Sequence, residues 1–265
     1  MAPKLIFIVP YRDRELQKSF FMKHMSYVLE DTPKDTYEIY FAHQRDGREF
    51  NRGAMKNIGF LAMREKYPHE YRNITFVFND VDTMPYEKNF LNYETTAGTI
   101  KHFYGFSYTL GGIFSIKGGD FEQVGGFTMP FSWGFEDNAM QQRVLAAGMK
   151  IDRSQFYNLY DKNILSLRDG ITRPVNQEDF NRYIKKTKEG LTTLRDVNYS
   201  MENEFIQIKG FETGYVNTTA NKQYDLLRGN QPFKMPSKNP KADNMGFGVM
   251  HATKRASNAK MGMSI

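Results

Sequence analysis

Two aspartates one residue apart close the run Ile74-Thr75-Phe76-Val77-Phe78-Asn79-Asp80-Val81-Asp82. The residues before them are apolar and β-branched and read as a buried strand. In an extended strand end, residues i and i+2 point the same way, so Asp80 and Asp82 are expected to converge on one small volume. Carboxylates that close repel unless a cation sits between or beside them. At the carboxyl edge of an open α/β sheet, such a pair can hold a divalent metal against a diphosphate. A strand running into a solvated acidic turn is the simpler reading, and an Asp-x-Asp pair alone does not separate the two.

Four further features carry chemistry. Pro10-Tyr11-Arg12-Asp13-Arg14 places two guanidinium groups just after a first strand, where they could meet phosphates or simply form a charged loop. Phe50-Asn51-Arg52-Gly53-Ala54 opens a helix with a capping Asn and an Arg near the positive end of the dipole, a place where anions bind. Gly111-Gly112 allows backbone to approach a ligand, or marks a bulge. Ser132-Trp133-Gly134-Phe135-Glu136-Asp137-Asn138 holds the only tryptophan, a glycine, and two adjacent carboxylates at a helix start. The helix dipole alone favours acids there. The chemical alternative is an indole stacking on a sugar ring while a carboxylate takes a hydroxyl proton.

The elements that must position these groups follow from periodicity. Leu5–Val9, Tyr37–Ala42 and Ile74–Phe78 read as strands, and 15–30 and 52–64 as amphipathic helices between them. Strand–helix–strand–helix–strand is a doubly wound α/β pattern whose ligands sit at the carboxyl ends of the strands. Farther on, 111–116 reads as a strand opened by two glycines, 137–147 as a helix stopped by Gly148, 178–189 as a helix, and 204–209 as an exposed strand. Beyond Tyr215 the chain turns rich in Asn, Lys, Gly and Pro. Residues 216–265 are expected to form an extended tail that wraps the domain or is partly disordered, with residues 1–215 as the functional domain.

At 265 residues, 40% hydrophobic and 25% charged, the chain can bury a full core. It has no cysteine, which excludes disulfides and thiolate metal sites and points to a reducing compartment, hence the cytosol. No apolar run approaches a membrane span, and Met1-Ala2-Pro3-Lys4 leads straight into a strand, so neither a signal peptide nor an anchor is expected. The net charge of +6 is concentrated between Lys222 and Lys260, with eight Lys or Arg against Asp225 and Asp243. Such a tail touches polyanions or merely solubilises.

Taken in this order and spacing, the five motifs resemble the β-1,4-galactosyltransferases and their relatives, inverting nucleotide-sugar transferases of the GT-A fold. That family's Pro-Phe-Arg-x-Arg loop is similar to Pro10-Tyr11-Arg12-Asp13-Arg14, and its Phe-Asn-Arg-Ala motif to Phe50-Asn51-Arg52-Gly53. Its Asp-Val-Asp matches Asp80-Val81-Asp82, its Gly-Gly matches Gly111-Gly112, and its Trp-Gly-Gly-Glu-Asp-Asp is similar to Trp133-Gly134-Phe135-Glu136-Asp137-Asn138. The resemblance spans roughly 4–215. It implies a GT-A fold: a Rossmann-like, mostly parallel mixed sheet flanked by helices. It implies a UDP-sugar donor, Mn²⁺ or Mg²⁺ as cofactor, and a glycan, glycoprotein or glycolipid acceptor. Pro10, Tyr11, Arg12, Arg14, Phe50 and Arg52 would line the nucleotide site. Asp80, Val81, Thr109, Gly111, Gly112 and Trp133 would lie along the donor, with Asp80 on the sugar. Asp82 would ligate the metal. Asp137 would be the catalytic base with Glu136 beside it, and Trp133, Asp137 and Asn138 would meet the acceptor.

Three departures shape the expectation. The family's Met and His metal ligands after the catalytic helix have no match in Asn163-Ile164-Leu165-Ser166-Leu167-Arg168-Asp169, so Asp82 is expected to act with diphosphate and water, or with His251 of the tail. Thr109 stands where galactose-transferring members place a tyrosine, leaving room for an N-acetylhexosamine donor. Asn138 replaces an acceptor-holding carboxylate. Family members are usually Golgi-anchored and disulfide-bonded, so a cysteine-free chain suggests a cytosolic microbial or viral relative, in the host cytoplasm if viral. Rival readings are a retaining transferase resembling the polypeptide N-acetylgalactosaminyltransferases, which share Trp-Gly-Gly-Glu, an inactive sugar-binding relative, and a nucleic-acid-binding protein using the basic tail. Asp137 directly after Glu136 favours the inverting enzyme, and nucleic acid is not expected as a partner because the motif carboxylates would repel phosphates.

Overall fold

Leu5–Tyr11 (β1) is buried at every position, which is why its sequence is a continuous apolar run rather than an alternation. Its side chains divide by parity between two cores. Ile6 and Ile8 join one cluster, and Leu5, Phe7 and Val9 join the other. This is a computed structural model, and it describes residues 2–167, 170, 172–185, 187–215, 218–225, 228 and 232–233.

After β1 come helix α1 (Glu15–Val28), strand β2 (Tyr37–Gln44), helix α2 (Arg52–Lys66), strand β3 (Thr75–Asn79) and short β4 (Thr83–Pro85). The chain continues through β5 (Thr99–Gly105), β6 (Ile113–Lys117), α3 (Gly118–Gln123), α4 (Glu136–Ala146), β7 (Lys150–Asp152), β8 (Tyr157–Asn158) and β9 (Ile164–Ser166). It closes with β10 (Thr172–Val175), α5 (Gln177–Tyr183), β11 (Arg195–Glu202), β12 (Phe205–Glu212) and β13 (Lys222–Asp225). The main sheet runs β11-β12-β2-β1-β3-β6-β5-β7, with β8 also on β5. The strands β12, β2, β1 and β3 are mutually parallel, whereas β6 is antiparallel to both β3 and β5. This is the mixed, mostly parallel α/β sheet expected, with helices on its faces.

The main core lies under α2. Phe78 meets Phe114, Phe121 and Phe127 at ring separations of 5.2, 4.7 and 5.3 Å. Helix α2 can lie this close because two of its residues lack a side chain. A Cβ at Gly53 would stand 1.9 Å from the Thr128 carbonyl oxygen, and one at Gly59 would stand 2.5 Å from Ile8 Cγ2. Polar groups fix the same contact. Asn51 caps the helix by accepting from the Ala54 N–H at 2.8 Å and donates to the Met129 carbonyl at 2.7 Å. Asn57 both accepts from the Phe127 N–H and donates to its carbonyl. The loop that leads to Trp133 is therefore clamped to α2.

Several elements differ from expectation. The helix expected over 178–189 ends at Tyr183. Glu189 instead folds back, and its buried carboxylate accepts from Tyr183 Oη at 2.8 and 2.9 Å and from the Met129 N–H at 2.8 Å. The strand expected over 204–209 runs from Phe205 to Glu212 and is no exposed edge. Ile206, Ile208 and Phe211 are in the core, and the strand pairs with β2. Its hairpin partner β11 carries too few apolar residues to register in a periodicity reading. In the segment 216–265, β13 pairs antiparallel with β10, and Phe233 stacks on Phe180 at 4.7 Å. Among the described residues, no helix is long and apolar enough to cross a membrane.

Phe78→Ala should cost roughly 3–5 kcal/mol of stability, the range for deleting a buried aromatic ring packed against three others. Urea denaturation measures it. A loss under about 1 kcal/mol would mean that the aromatic packing under α2 is not tight.

Candidate active site

The site forms where three chain segments meet at the carboxyl end of β3. Strand β3 stops at Asn79, so Asp80 and Asp82 do not lie on an extended strand end as expected. They occupy a turn in which the Thr83 N–H donates to the Asp80 carbonyl at 3.2 Å. The turn is braced from one side by the Asp80 N–H donating to Gly112 carbonyl at 3.1 Å, and from the other by the Leu167 N–H donating to Asp82 carbonyl at 2.7 Å. It still keeps the two carboxylates close enough to interact. Burial first, and the neighbouring Asp80 carboxylate second, push Asp82 up to about 6, while Arg52 and Arg14 partly offset this.

Helix α2 faces this turn with two cations one helical turn apart. Arg52 donates from Nη2 to Asp80 Oδ1 at 2.6 Å, and its Nε lies 3.7 Å from Glu136 Oε1. Burial opposes the charge on Arg52, but the carboxylates of Asp80, Glu136 and Asp137 outweigh it and hold the guanidinium firmly protonated. Lys56, its side chain only 2% exposed, donates from Nζ to Asp137 Oδ1 at 2.9 Å. Arg52 thus joins the Asp-x-Asp turn to the start of α4, a role that the expected nucleotide contact did not include.

Helix α4 begins at Glu136, one residue earlier than expected, and presents its two acids differently. Glu136 is buried, and burial together with neighbouring Asp137 raises it above the usual carboxylate range despite Arg52 and Lys56. Asp137 is the more open of the two, with 19% of its side chain exposed. Phe135, just before them, adopts the left-handed conformation at φ 81°, where the family motif has a glycine. It is held there by packing edge-on against Phe180 at 5.6 Å. Trp133 lies beside the same cluster, its N–H donating to the Pro174 carbonyl at 2.6 Å. Asn138 is half-buried on the first turn of α4.

The glycine pair serves Asp137 and the turn. A Cβ at Gly111 would fall 2.3 Å from Asp137 Oδ2, and Gly112 has φ 68° with the Tyr104 carbonyl 2.4 Å from where its Cβ would be. Leu110 N–H donates to the Asp137 carbonyl at 3.0 Å. Thr109 is buried, and its hydroxyl donates to the Phe106 carbonyl at 3.3 Å. Behind the loop, His102 Nε2 lies 3.1 Å from the Gly111 and Tyr104 carbonyls and its Nδ1 accepts from Arg153. Burial pushes His102 down to about 4, so the ring stands neutral as a fixed donor to the loop.

The first loop is more dispersed. Pro10 and Tyr11 are the buried end of β1, and the Tyr11 hydroxyl donates to Glu15 at 3.0 Å. Arg12 donates to the Arg48 carbonyl and lies 3.5 Å from Asp13, while Arg14 directly precedes α1 and acts electrostatically on Asp82. Phe50 is half-buried against the main core and Val81 is buried. His251 lies outside the described residues. Lys56 escaped the sequence reading. Its signal is a lysine four residues after the motif arginine, on the same helical face.

The geometry bears on a metal. Four carboxylates gather here, and Arg52 and Lys56 supply only two buried positive charges. Asp82 is the acid that neither of them neutralises in a direct pair, and burial together with neighbouring Asp80 raises it. An oxygen-rich, negatively biased turn suits a hard divalent cation. Among the described residues, no set of three or more His, Asp or Glu converges on one ion, so further ligands would be substrate oxygens or water.

Comparison with known proteins agrees with this construction. Residues 2–94 match the model of the N-terminal region of glycosyl transferase group 7, and 94–164 match that of the N-terminal domain of galactosyltransferase. The chain belongs to the β-1,4-galactosyltransferase-like family of glycosyltransferases. Within that family it is 30% identical to human β-1,4-galactosyltransferase 4 over 57% of this chain and 45% of the human protein. It is 25% identical to the Caenorhabditis elegans xylosylprotein 4-beta-galactosyltransferase over 81% of this chain and 77% of that protein. The chain spans just under half the length of the mammalian relatives that match it at 30% identity. The catalytic domain of Drosophila β1,4-galactosyltransferase 7, solved with xylobiose, superposes with a TM-score of 0.63 at 22% identity, covering 78% of this chain and 94% of the fly domain. A variant of that fly enzyme was solved with manganese, UDP-Gal and xylobiose, at a TM-score of 0.58 and 20% identity over the same shares. The fold is GT-A, as expected. These animal relatives lend no support to the expected microbial or viral source.

Asp82→Asn should stabilise the folded chain at neutral pH. A carboxyl group raised from 3.8 to about 6 carries no penalty below pH 4, a growing one between 4 and 6, and its full penalty above 6. The variant should therefore gain about 1–3 kcal/mol at pH 7.5 and nothing at pH 4. Denaturant titrations at the two pH values measure it, and equal effects at both would show that Asp82 is not held strained by its surroundings.

Proposed function

We propose that this chain is an inverting, metal-assisted glycosyltransferase that moves a hexose or N-acetylhexosamine from a UDP-sugar to a hydroxyl of a glycan or glycoconjugate, with Asp137 as general base. One observation carries the proposal. Of the two acids that open α4, only Asp137 is both anchored and open to the site, while Glu136 is buried behind Arg52. Family membership supports the reaction class. The worm relative's name points to a galactosyl donor and a xylosyl acceptor, and the fly structure holds manganese, UDP-Gal and xylobiose.

In this reading the acceptor oxygen attacks the anomeric carbon from the side opposite UDP. Asp137 takes the hydroxyl proton as the new C–O bond forms, and UDP departs with the bonding pair, leaving the product inverted. Asp82 would hold the divalent ion, which neutralises the charge growing on the departing diphosphate. Arg14, which acts electrostatically on Asp82, and its neighbour Arg12 suit phosphate oxygens. Arg52 keeps Asp80 in place through its guanidinium. Trp133 offers an indole face to a sugar ring. The retaining alternative lacks support from a second nucleophile, because Glu136 is enclosed. A cytosolic setting, suggested by the cysteine-free sequence, is part of the same proposal.

The test is a panel of UDP-sugars with Mn²⁺ or Mg²⁺, with water and xylobiose as acceptors. Asp137→Asn should lower turnover by about 10²–10⁴-fold, the usual worth of a general base, with UDP affinity by calorimetry nearly unchanged. UDP should bind more tightly with Mn²⁺ than without, and Asp82→Ala should erase the difference. Turnover of Asp137→Asn near that of the parent, or UDP affinity indifferent to metal, would sink the proposal. Thr109→Tyr should shift turnover from UDP-GalNAc or UDP-GlcNAc toward UDP-Gal or UDP-Glc by roughly 1–3 kcal/mol, through overpacking beside C2. An unmoved ratio would place the donor sugar elsewhere.

A further inference from the structure

A lysine in a helix interior at a sheet interface needs a reason, because an ammonium stripped of water is costly unless paired. Lys56 is 1% exposed, in the middle of the buried face of α2 between Met55 and Asn57. Its Nζ has two neighbours of note, Asp137 Oδ1 at 2.9 Å and the face of the Phe127 ring at 4.4 Å. The aromatic face adds a second, weaker stabilisation of the cation. On the far side of the carboxylate, Gly111 supplies the space for Asp137 Oδ2, which no hydrogen bond among the described residues engages. One oxygen is gripped from below and the other is left to accept a proton.

The geometry points to Lys56 as the positioning residue of the catalytic base: its ammonium fixes the Asp137 carboxylate in one rotamer and reserves Oδ2 for the acceptor hydroxyl. This inference rests on Asp137 being the base. The charged groups facing that carboxylate are Lys56 and Arg52 from α2 and Glu136 from its own helix, while the Gly111 loop presents only backbone. Arg52 is spoken for by Asp80 at 2.6 Å, and Glu136 repels. Lys56 is thus the one cation committed to Asp137 by a hydrogen bond. A lysine suits the place better than an arginine would, since a compact point charge binds one oxygen and leaves the other free, whereas a guanidinium fork tends to take both.

The experiment compares Lys56→Met, Lys56→Arg, Asp137→Asn and the Lys56→Met/Asp137→Asn double variant, using cleavage of the UDP-sugar best turned over with Mn²⁺. Lys56→Met, close in volume and apolar, should lower kcat by roughly 10²-fold, as a misplaced reacting group does. It should leave UDP affinity unchanged. The loss should fall on kcat, with the KM for the UDP-sugar near that of the parent, because the base faces the acceptor and not the nucleotide. Lys56→Arg should recover only part of kcat. The double variant should be no slower than Asp137→Asn alone. A residue that merely fills the core would keep kcat when replaced by a methionine of similar volume, and that result overturns the inference. If Lys56→Met does not fold, Lys56→Gln takes its place with the same readings. Failure of the underlying reading looks different: Asp137→Asn would keep its activity, or no UDP-sugar would be cleaved. A slow Asp137→Asn beside a Lys56→Met of unchanged kcat would overturn the role of Lys56 alone.

Discussion

Two cations one turn apart on a single helix hold this site together. Arg52 reaches Asp80 and Glu136, and Lys56 reaches Asp137, so α2 ties the turn after β3 to the start of α4. Those two acidic segments are more than fifty residues apart in sequence and would repel if brought together alone. Removing either cation would leave a carboxylate uncompensated in a partly buried place, which costs far more than a surface ion pair contributes. The arrangement also stops short of neutrality. The residual negative charge sits at Asp82, where a cation brought with the substrate would be most welcome.

For the cations to arrive there, α2 must lie unusually close to its neighbours, and the sequence arranges this with absences. Gly53 lets the Thr128 carbonyl approach, Gly59 admits the Ile8 side chain, and Asn51 and Asn57 bind the loop at 127–129 by three hydrogen bonds. Asn51 also caps the helix through the Ala54 N–H. That loop leads directly into Trp133 and α4. The distance between the Asp-x-Asp turn and the base is therefore set by the packing of one helix, not by the flexible connection between them. The aromatic cluster of Phe60, Phe78, Phe121 and Phe127 beneath it makes the spacing stiff.

Much of this could be read from the residue string, for identifiable reasons. The strands β1, β2 and β3 and helices α1 and α2 have strong periodicity, and the motifs fell at their ends, where ligands collect in such sheets. What escaped depends on contacts between distant segments. The alternation of β12 looked solvent-exposed because nothing in it reveals the β2 neighbour that covers it. Residues 178–189 have helical composition, yet the chain turns back after Tyr183 because the buried Glu189 carboxylate finds donors in the Tyr183 hydroxyl, the Met129 N–H and the Arg182 guanidinium. The motif acids were visible, but not their division of labour. That Asp137 is open and Glu136 enclosed follows from which cation each meets, and Lys56 reads in sequence as one more charge on an amphipathic helix.

The same site holds the places where the fold departs from local preference. Phe135 takes a left-handed backbone that costs an ordinary residue on the order of 1–3 kcal/mol, and it does so where a glycine would be free of strain. The ring earns its place by filling the pocket between Phe180, Tyr183 and Phe233, which anchors the segment carrying Trp133 from the outside. A glycine there would leave Trp133 and the first turn of α4 tied to the domain chiefly through backbone. Anchoring of this kind exchanges freedom of the tryptophan segment for a fixed start to α4, and with it a fixed direction for Asp137. The strained Phe135 and the buried Lys56 therefore act on the same carboxylate from opposite ends, one setting where the helix begins and the other where its second side chain points.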